Sequence, residues 1–224
     1  MKIRKPIRKL CETESTEEIE IPEDVLQAIL AANEPDKPDS FEKLDGELLD
    51  RRMIYLNDEV NKNIIQLAKA FMYWNAEDKD VPVEERVPIK LYICSPGGDL
   101  NYMWILIDLM NTSKTPVYTI NMCVAYSAAA LLFMGGHKRF MFPHASLMIH
   151  QGSAEFGGDY TSIKNAFKNY TERVDQVYDY IRSACGLPEE LIKEHEQEDW
   201  YLNPDECLKY KICHAVINSV DDIL

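Results

Sequence analysis

A hydroxyl becomes a nucleophile when a base can take its proton and a carboxylate can orient that base. Ser127, His150 and Asp199 could supply those three groups. Ser127 interrupts the apolar run Cys123–Met134, between a strand pattern and an alanine-rich helix pattern. There it would feel the partial positive charge of a helix start, which favours a developing anion. His150 closes SLMIH, where a chain leaves a sheet and can present a ring, and Asp199 precedes the strand-like WYLN. Gly97 and Gly98 follow a strand in SPGG. Without a Cβ, their backbone N–H groups can approach a substrate oxygen and stabilise an oxyanion. Phosphate cradling fits less well, because no lysine follows and Asp99 adds negative charge.

Taken singly, each residue has a plainer role. Ser127 would be a helix N-cap, His150 a structural histidine, and the glycines a turn. Asp199 would belong to a solvated acidic face with Glu194, Glu196 and Glu198. Their order is what joins them: strand-Gly-Gly-helix, strand-Ser-helix, strand-His, helix-Asp-strand. His137, His144, His195 and His214 have no comparable setting, and His195 reads as solvated.

The elements that must position these groups follow from hydrophobic periodicity. MIYLN (Met53–Asn57) reads as a strand, followed by a helix with Val60, Ile64, Leu67, Ala68 and Phe71 on one face. Residues 75–86 read as a charged loop, and VPIKLYIC as an alternating strand. Asp99 is the expected N-cap of the next helix. Pro116–Asn121 is the next strand; the alanine-rich helix after Tyr126 stops at Gly135 and Gly136. Two short strands, Lys138–Phe142 and Ser146–Ile149, are split by Pro143.

A long helix then carries Ile163, Phe167, Tyr170, Val174, Val177 and Ile181 at alternating spacings of four and three, a stripe suited to lengthwise packing on another helix, one from a second chain included. Gly186 ends it, and Pro188 opens a short helix. Trp200–Asn203, a helix from Pro204 and Ile212–Asn218 close the chain. Strands alternating with helices imply an α/β class with a largely parallel core.

Composition bounds the function. With 38 acidic against 24 basic residues, the net charge of −14 argues against nucleic acid as a ligand. The longest apolar run is too short to span a membrane, and the basic N-terminus lacks the apolar core of a signal peptide. Six cysteines form no CxxC pair and no zinc spacing. Cys94, Cys123, Cys207 and Cys213 lie in apolar stretches and read as small buried hydrophobes, so the expected compartment is the reducing cytoplasm. Residues 1–45 carry a basic start and then a strongly acidic, proline-broken stretch. They read as a mobile or partner-docked extension, with one amphipathic helix over Asp24–Ala32, ahead of a domain at 46–224.

Four segments resemble the proteolytic subunit family of the Clp protease. They are SPGGDL, VAYSAAALLFMGG, KRFMFPHASLMIHQG and EDWYLNPDECLKYKI. The likeness runs from about Leu48 to the C-terminus, about four fifths of the chain. It implies an α/β fold of the ClpP/crotonase type, built of repeated ββα units with a protruding handle helix. It implies a cofactor-free serine endopeptidase, with Ser127 as nucleophile, His150 as base, Asp199 as orienting carboxylate, and the N–H groups of Gly98 and Ala128 as oxyanion hole. A glycine-rich strand after His150 would align polypeptide substrates.

The same resemblance implies a homo-oligomer of stacked, usually heptameric rings, served by an AAA+ unfoldase, with no nucleic-acid or membrane partner. The chain departs from the family pattern at Tyr126, Ala129, Gly152 and Trp200, and the extra bulk beside Ser127 could narrow the pocket or reshape specificity. Two other readings stay open: a weakly active or inactive subunit that assembles with an active paralogue, and a specialised, phage-type maturation protease. A crotonase-type acyl-CoA enzyme shares the fold but has no need of the three side chains.

Overall fold

The computed structural model describes residues 22–25, 27 and 40–224. The helix expected over Asp24–Ala32 is described only at Asp24, Val25 and Gln27, which are helical and exposed. The rest of that segment, and most of the N-terminal extension, lie outside the described residues. Gly46–Leu224 forms one compact unit.

The elements run α1 (Ser40–Asp50), β1 (Met53–Leu56), α2 (Ile64–Glu77), β2 (Ile89–Ser95), α3 (Leu100–Thr112), β3 (Val117–Tyr126), α4 (Ala128–Met134), β4 (Lys138–Met141), β5 (Ser146–Ile149), α5 (Tyr160–Cys185), α6 (Glu189–His195), β6 (Trp200–Leu202), α7 (Pro204–Lys209) and β7 (Ala215–Val216). Seven strands make one sheet in the order β1-β2-β3-β4-β7, with β5 beside β3 and β6 beside β5. All pairs are parallel except β5–β6.

β3 is the hub of this sheet. Its first half pairs with β4 and its second half with β5. The strand therefore runs five residues past the expected end at Asn121, because Val124, Ala125 and Tyr126 find partners in Ser146, Leu147 and Met148. The alanine-rich sequence that follows makes α4, and all seven of its residues are buried. A helix apolar on every side belongs inside a core, and here it packs against β3 and α3. Each large side chain buried in this way contributes roughly 1.5–3 kcal/mol relative to exposure. The position just before α4, Ser127, is thus fixed by the core.

Two expectations shift at element ends. Val60 stays outside the first long helix and bridges to Gly98, so that helix starts at Ile64 and runs on to Glu77, into the presumed loop. Pro188 is the N-cap of α6, one place earlier than its first helical residue. Cys207 and Cys213 are buried as expected, whereas Cys94 is only half-buried and Cys123 is exposed. The reason for Cys123 is a register shift between Ile93 and Ser95 of β2, opposite Asn121 to Ala125 of β3, which bulges the intervening residues outward.

One buried ion pair ties the sheet's first edge to α2. Arg52 donates two hydrogen bonds to Asp78, at 2.6 and 2.8 Å, and Thr115 Oγ1 donates a third at 2.7 Å. The Arg52 hydrogen bonds hold the Asp78 carboxyl below the usual aspartate range; burial opposes them, and Thr115 adds to them. A depressed folded value means that the stabilisation is complete above the unfolded value of about 3.9 and disappears as pH falls through the lowered folded one. Asp78→Asn is expected to cost about 3 kcal/mol near neutral pH, with the gap to the parent closing below about pH 4, as read by urea unfolding at several pH values.

Candidate active site

Strand register brings the three candidate side chains together. Tyr126 of β3 lies opposite Met148 of β5, and Met148 lies opposite Tyr201 of β6. Ile149 pairs with Trp200 in the antiparallel β5–β6 ladder. One residue further out, the ladder leaves His150 on one strand and Asp199 on the other, both beside the residue that follows Tyr126, which is Ser127.

Ser127 sits at the N-cap of α4, yet its hydroxyl makes no capping bond. Its Oγ instead lies 2.7 Å from His150 Nε2. The plain capping role is thereby excluded, since a hydroxyl that caps must bond a backbone N–H of the first turn. The backbone at Ser127 is also unusual, with φ 55° and ψ −123° in a residue that is not glycine. Such a conformation costs of order 1–3 kcal/mol and persists only where the surroundings enforce it. Here the Ser127 N–H donates to Met148 O at 2.8 Å on one side, and the buried α4 follows on the other. The strain turns the side chain out of the sheet at a sharp strand-to-helix bend, the geometry of an exposed nucleophile.

His150 presents its other nitrogen to Asp199, with Nδ1 3.4 Å from Oδ1. A carboxylate there favours the tautomer with hydrogen on Nδ1, leaving Nε2 to accept the Ser127 proton. The Asp199 side chain is 57% exposed, against 27% for His150. This contact is the looser of the two.

The SPGG loop packs against the same bend. Val60 N–H donates to Gly97 O at 2.7 Å, and Asp99 N–H donates to Val60 O at 2.8 Å. The Gly98 N–H between them takes no part in this bridge. Gly97 and Gly98 have φ of 99° and 146°. A Cβ on Gly97 would stand 2.5 Å from Tyr126 O and 2.8 Å from Ser127 Cβ, and one on Gly98 2.4 Å from Val60 O. Both glycines are needed for close approach as well as for conformation. Ala128 opens α4, and the N–H groups of a helix's first turn have no partner within the helix. Gly98, Ser127, Ala128 and His150 line one cleft of about 270 Å³, with Leu131 and Val177 on its apolar wall. An acyl group seated there would meet the hydroxyl, the base and two backbone donors.

Three expectations need correcting. Residues 151–157 form no strand in the protomer, so the glycine-rich segment after His150 lies beside the cleft without a strand partner. Tyr126 does not narrow the cleft; its ring meets Tyr201 edge-on at 5.6 Å. His195 is not solvated, since only 24% of its side chain is exposed and its ring stacks on Trp200. The signal for it was the i, i+5 spacing of His195 and Trp200 around Asp199, which a short turn brings face to face.

A family model described as Clp protease matches residues 36–220. The chain is 31% identical, over 176 residues, to a protein of Deinococcus radiodurans named ATP-dependent Clp protease proteolytic subunit, covering 78% of this chain and 84% of that one. It is 30% identical over 175 residues to a protein of Paracoccus denitrificans with the same name, covering 77% and 85%.

The contact between Gly97 and the bend can be tested directly. Gly97→Ala should slow covalent modification of Ser127 by a fluorophosphonate at least about 100-fold while circular dichroism stays unchanged, because a displacement of about 1 Å at the nucleophile is enough for such a loss.

Proposed function

The chain belongs to the Clp protease family, and from that premise we propose that it cleaves polypeptides with Ser127 as nucleophile, His150 as general base and acid, and Asp199 as orienting carboxylate. The observation that carries this reading is the Ser127 hydroxyl, turned from its capping role toward His150 Nε2 at 2.7 Å.

The chemistry follows from the atoms. Ser127 Oγ attacks the scissile carbonyl carbon as its proton passes to His150 Nε2. Asp199 stabilises the resulting imidazolium. The carbonyl oxygen gains negative charge and is met by the N–H groups of Gly98 and Ala128, each such donor being worth about 3 kcal/mol in the transition state. His150 then returns the proton to the leaving amine. Water repeats the cycle on the acyl-enzyme, releasing the second product and Ser127. The open backbone of 151–157 can take a substrate segment as an added strand, which supplies affinity without reading side chains. None of these steps calls for a cofactor.

The assembly reading rests on α5. Its C-terminal half is tied to the core through Val177, Tyr178 and Ile181. Its N-terminal half projects Ile163 and Phe167 at 39% and 59% exposure, on the stripe noted in the sequence. A 26-residue helix, about 39 Å long, with its apolar stripe open at one end is suited to pairing with the same helix of another protomer. Stacked heptameric rings around an inner chamber are the form this takes, with an ATP-driven AAA+ unfoldase supplying substrate; both matched relatives are named as ATP-dependent. The free thiols of the five described cysteines support a reducing compartment, the cytoplasm. Residues 1–45 are read as an N-terminal extension ahead of the 46–224 peptidase domain.

A fluorophosphonate should label the parent protein at Ser127, and the parent should hydrolyse short fluorogenic peptides. Ser127→Ala should lose both while keeping the parent's assembly mass. A folded, assembled parent that takes no label overturns the reading. Phe167→Glu should shift native mass toward smaller assemblies, and an unchanged mass would remove α5 from the interface.

A further inference from the structure

Asp199 is the least secured member of the site. It ends a turn, 196–199, made only of Glu196, Gln197, Glu198 and Asp199. Four polar residues on a surface have many conformations available, and the chain must be held at both ends for one to prevail. The two ends are His195, the last residue of α6, and Trp200, the first of β6. Their rings stack, with centroids 4.4 Å apart and planes 8° from parallel. His195 Nδ1 also lies 2.6 Å from Glu198 Oε1, inside the turn. A carboxylate only accepts, so Nδ1 carries the proton in this contact whether the ring is neutral or charged.

The anchor beneath is firm. Trp200 is 9% exposed, pairs with Ile149 in the β5–β6 ladder and packs against Tyr210. Tyr178, buried on α5, donates its hydroxyl to Glu196 O at 3.4 Å. His195 is therefore a clasp. One face holds the core-bound indole and one edge holds the turn that presents Asp199.

We propose that His195 is a positioning residue for the peptidase reaction: its ring, held between the Trp200 indole and the Glu198 carboxylate, fixes the 196–199 turn so that Asp199 faces His150. This rests on the triad reading above and adds to it a residue that touches neither substrate nor reacting atom. It also gives Trp200 a task. Its indole is the platform on which the clasp closes.

The test is peptide hydrolysis by the full-length assembled protein, in a cycle of His195→Ala, Asp199→Asn and the double variant. His195→Ala should lower kcat about 10- to 100-fold with KM unchanged, because the transition-state contact is displaced and the cleft is not. Asp199→Asn should fall further. The double variant should be no slower than Asp199→Asn alone, since the placement of a carboxylate ceases to matter once it is gone. His195→Phe keeps a flat ring on the indole and loses only the Glu198 contact, so it should lie between parent and His195→Ala. It also carries the same cycle if His195→Ala does not assemble. Losses that multiply in the double variant, or a His195→Ala protein with the parental kcat beside an impaired Asp199→Asn, overturn the positioning role and leave the triad standing. An Asp199→Asn protein as fast as the parent overturns the triad reading itself.

Discussion

The meeting of Asp199 with His150 depends on one antiparallel pairing in an otherwise parallel sheet. The Ile149–Trp200 pair sets the register of β6 on β5. A slip of one residue would turn every side chain of β6 to the opposite face, because strand periodicity is two. Asp199 would then leave His150, and Trp200 would leave the core. Parallel pairing could not do this work as simply. Two parallel strands present matching ends at the same edge, whereas the antiparallel pair brings the beginning of β6 to the end of β5. A residue preceding one strand thereby meets a residue that follows the other. The hydrophobic cost of exposing Trp200 and Leu202 enforces the register, so the geometry of the site is underwritten by burial.

Ser127 is held by a different and stiffer device. α4 is short, and seven residues would form no stable helix in water. Its stability comes from having no solvated face. Enclosure on every side lets the fold impose a positive φ on Ser127, because relaxing that strain would require moving the whole of α4 within a close-packed interior. The SPGG loop closes the same bend from the other side, where neither glycine leaves room for a methyl group. Ser127, Gly98 and Ala128 are thus one rigid piece. Preorganised donors of this kind need no rearrangement as charge develops, which is the condition under which they are most effective.

Much of this was legible in the sequence, for identifiable reasons. Long periodic segments such as α3 and α5 declared themselves through spacing, and Asp99 and Gly186 marked a start and a stop that the structure keeps. Gly97, Gly98, Ser127, His150 and Asp199 stood out through their order between elements rather than through any local signature. What escaped was decided by distant partners. The second half of β3 carried no strand signal of its own, because its partner lies downstream in β5. Val60 looked helical by period, yet its backbone is claimed by the SPGG loop. Cys123 lay in an apolar run, and only the bulge against β2 turns it outward. His195 lay among acids, which masked its spacing from Trp200 and the ring contact that spacing allows.

The two halves of the site therefore differ in kind. Ser127 and the backbone donors are set by the interior, whereas Asp199 is set by a surface turn whose hold comes from side chains at its ends. His150 lies between them, 2.7 Å from the hydroxyl and 3.4 Å from the carboxylate. An imidazole so placed takes its position from whichever neighbour is more rigid, here Ser127, and its tautomer from the other. The orientation of the ring then varies with how closely the turn approaches, while the N–H groups of Gly98 and Ala128 stay where they are. Changes in the core should remove function together with folding, and changes in the turn should grade function in a protein that remains folded. That separation lets rate be adjusted at the surface of this fold without disturbing the interior that makes the chemistry available.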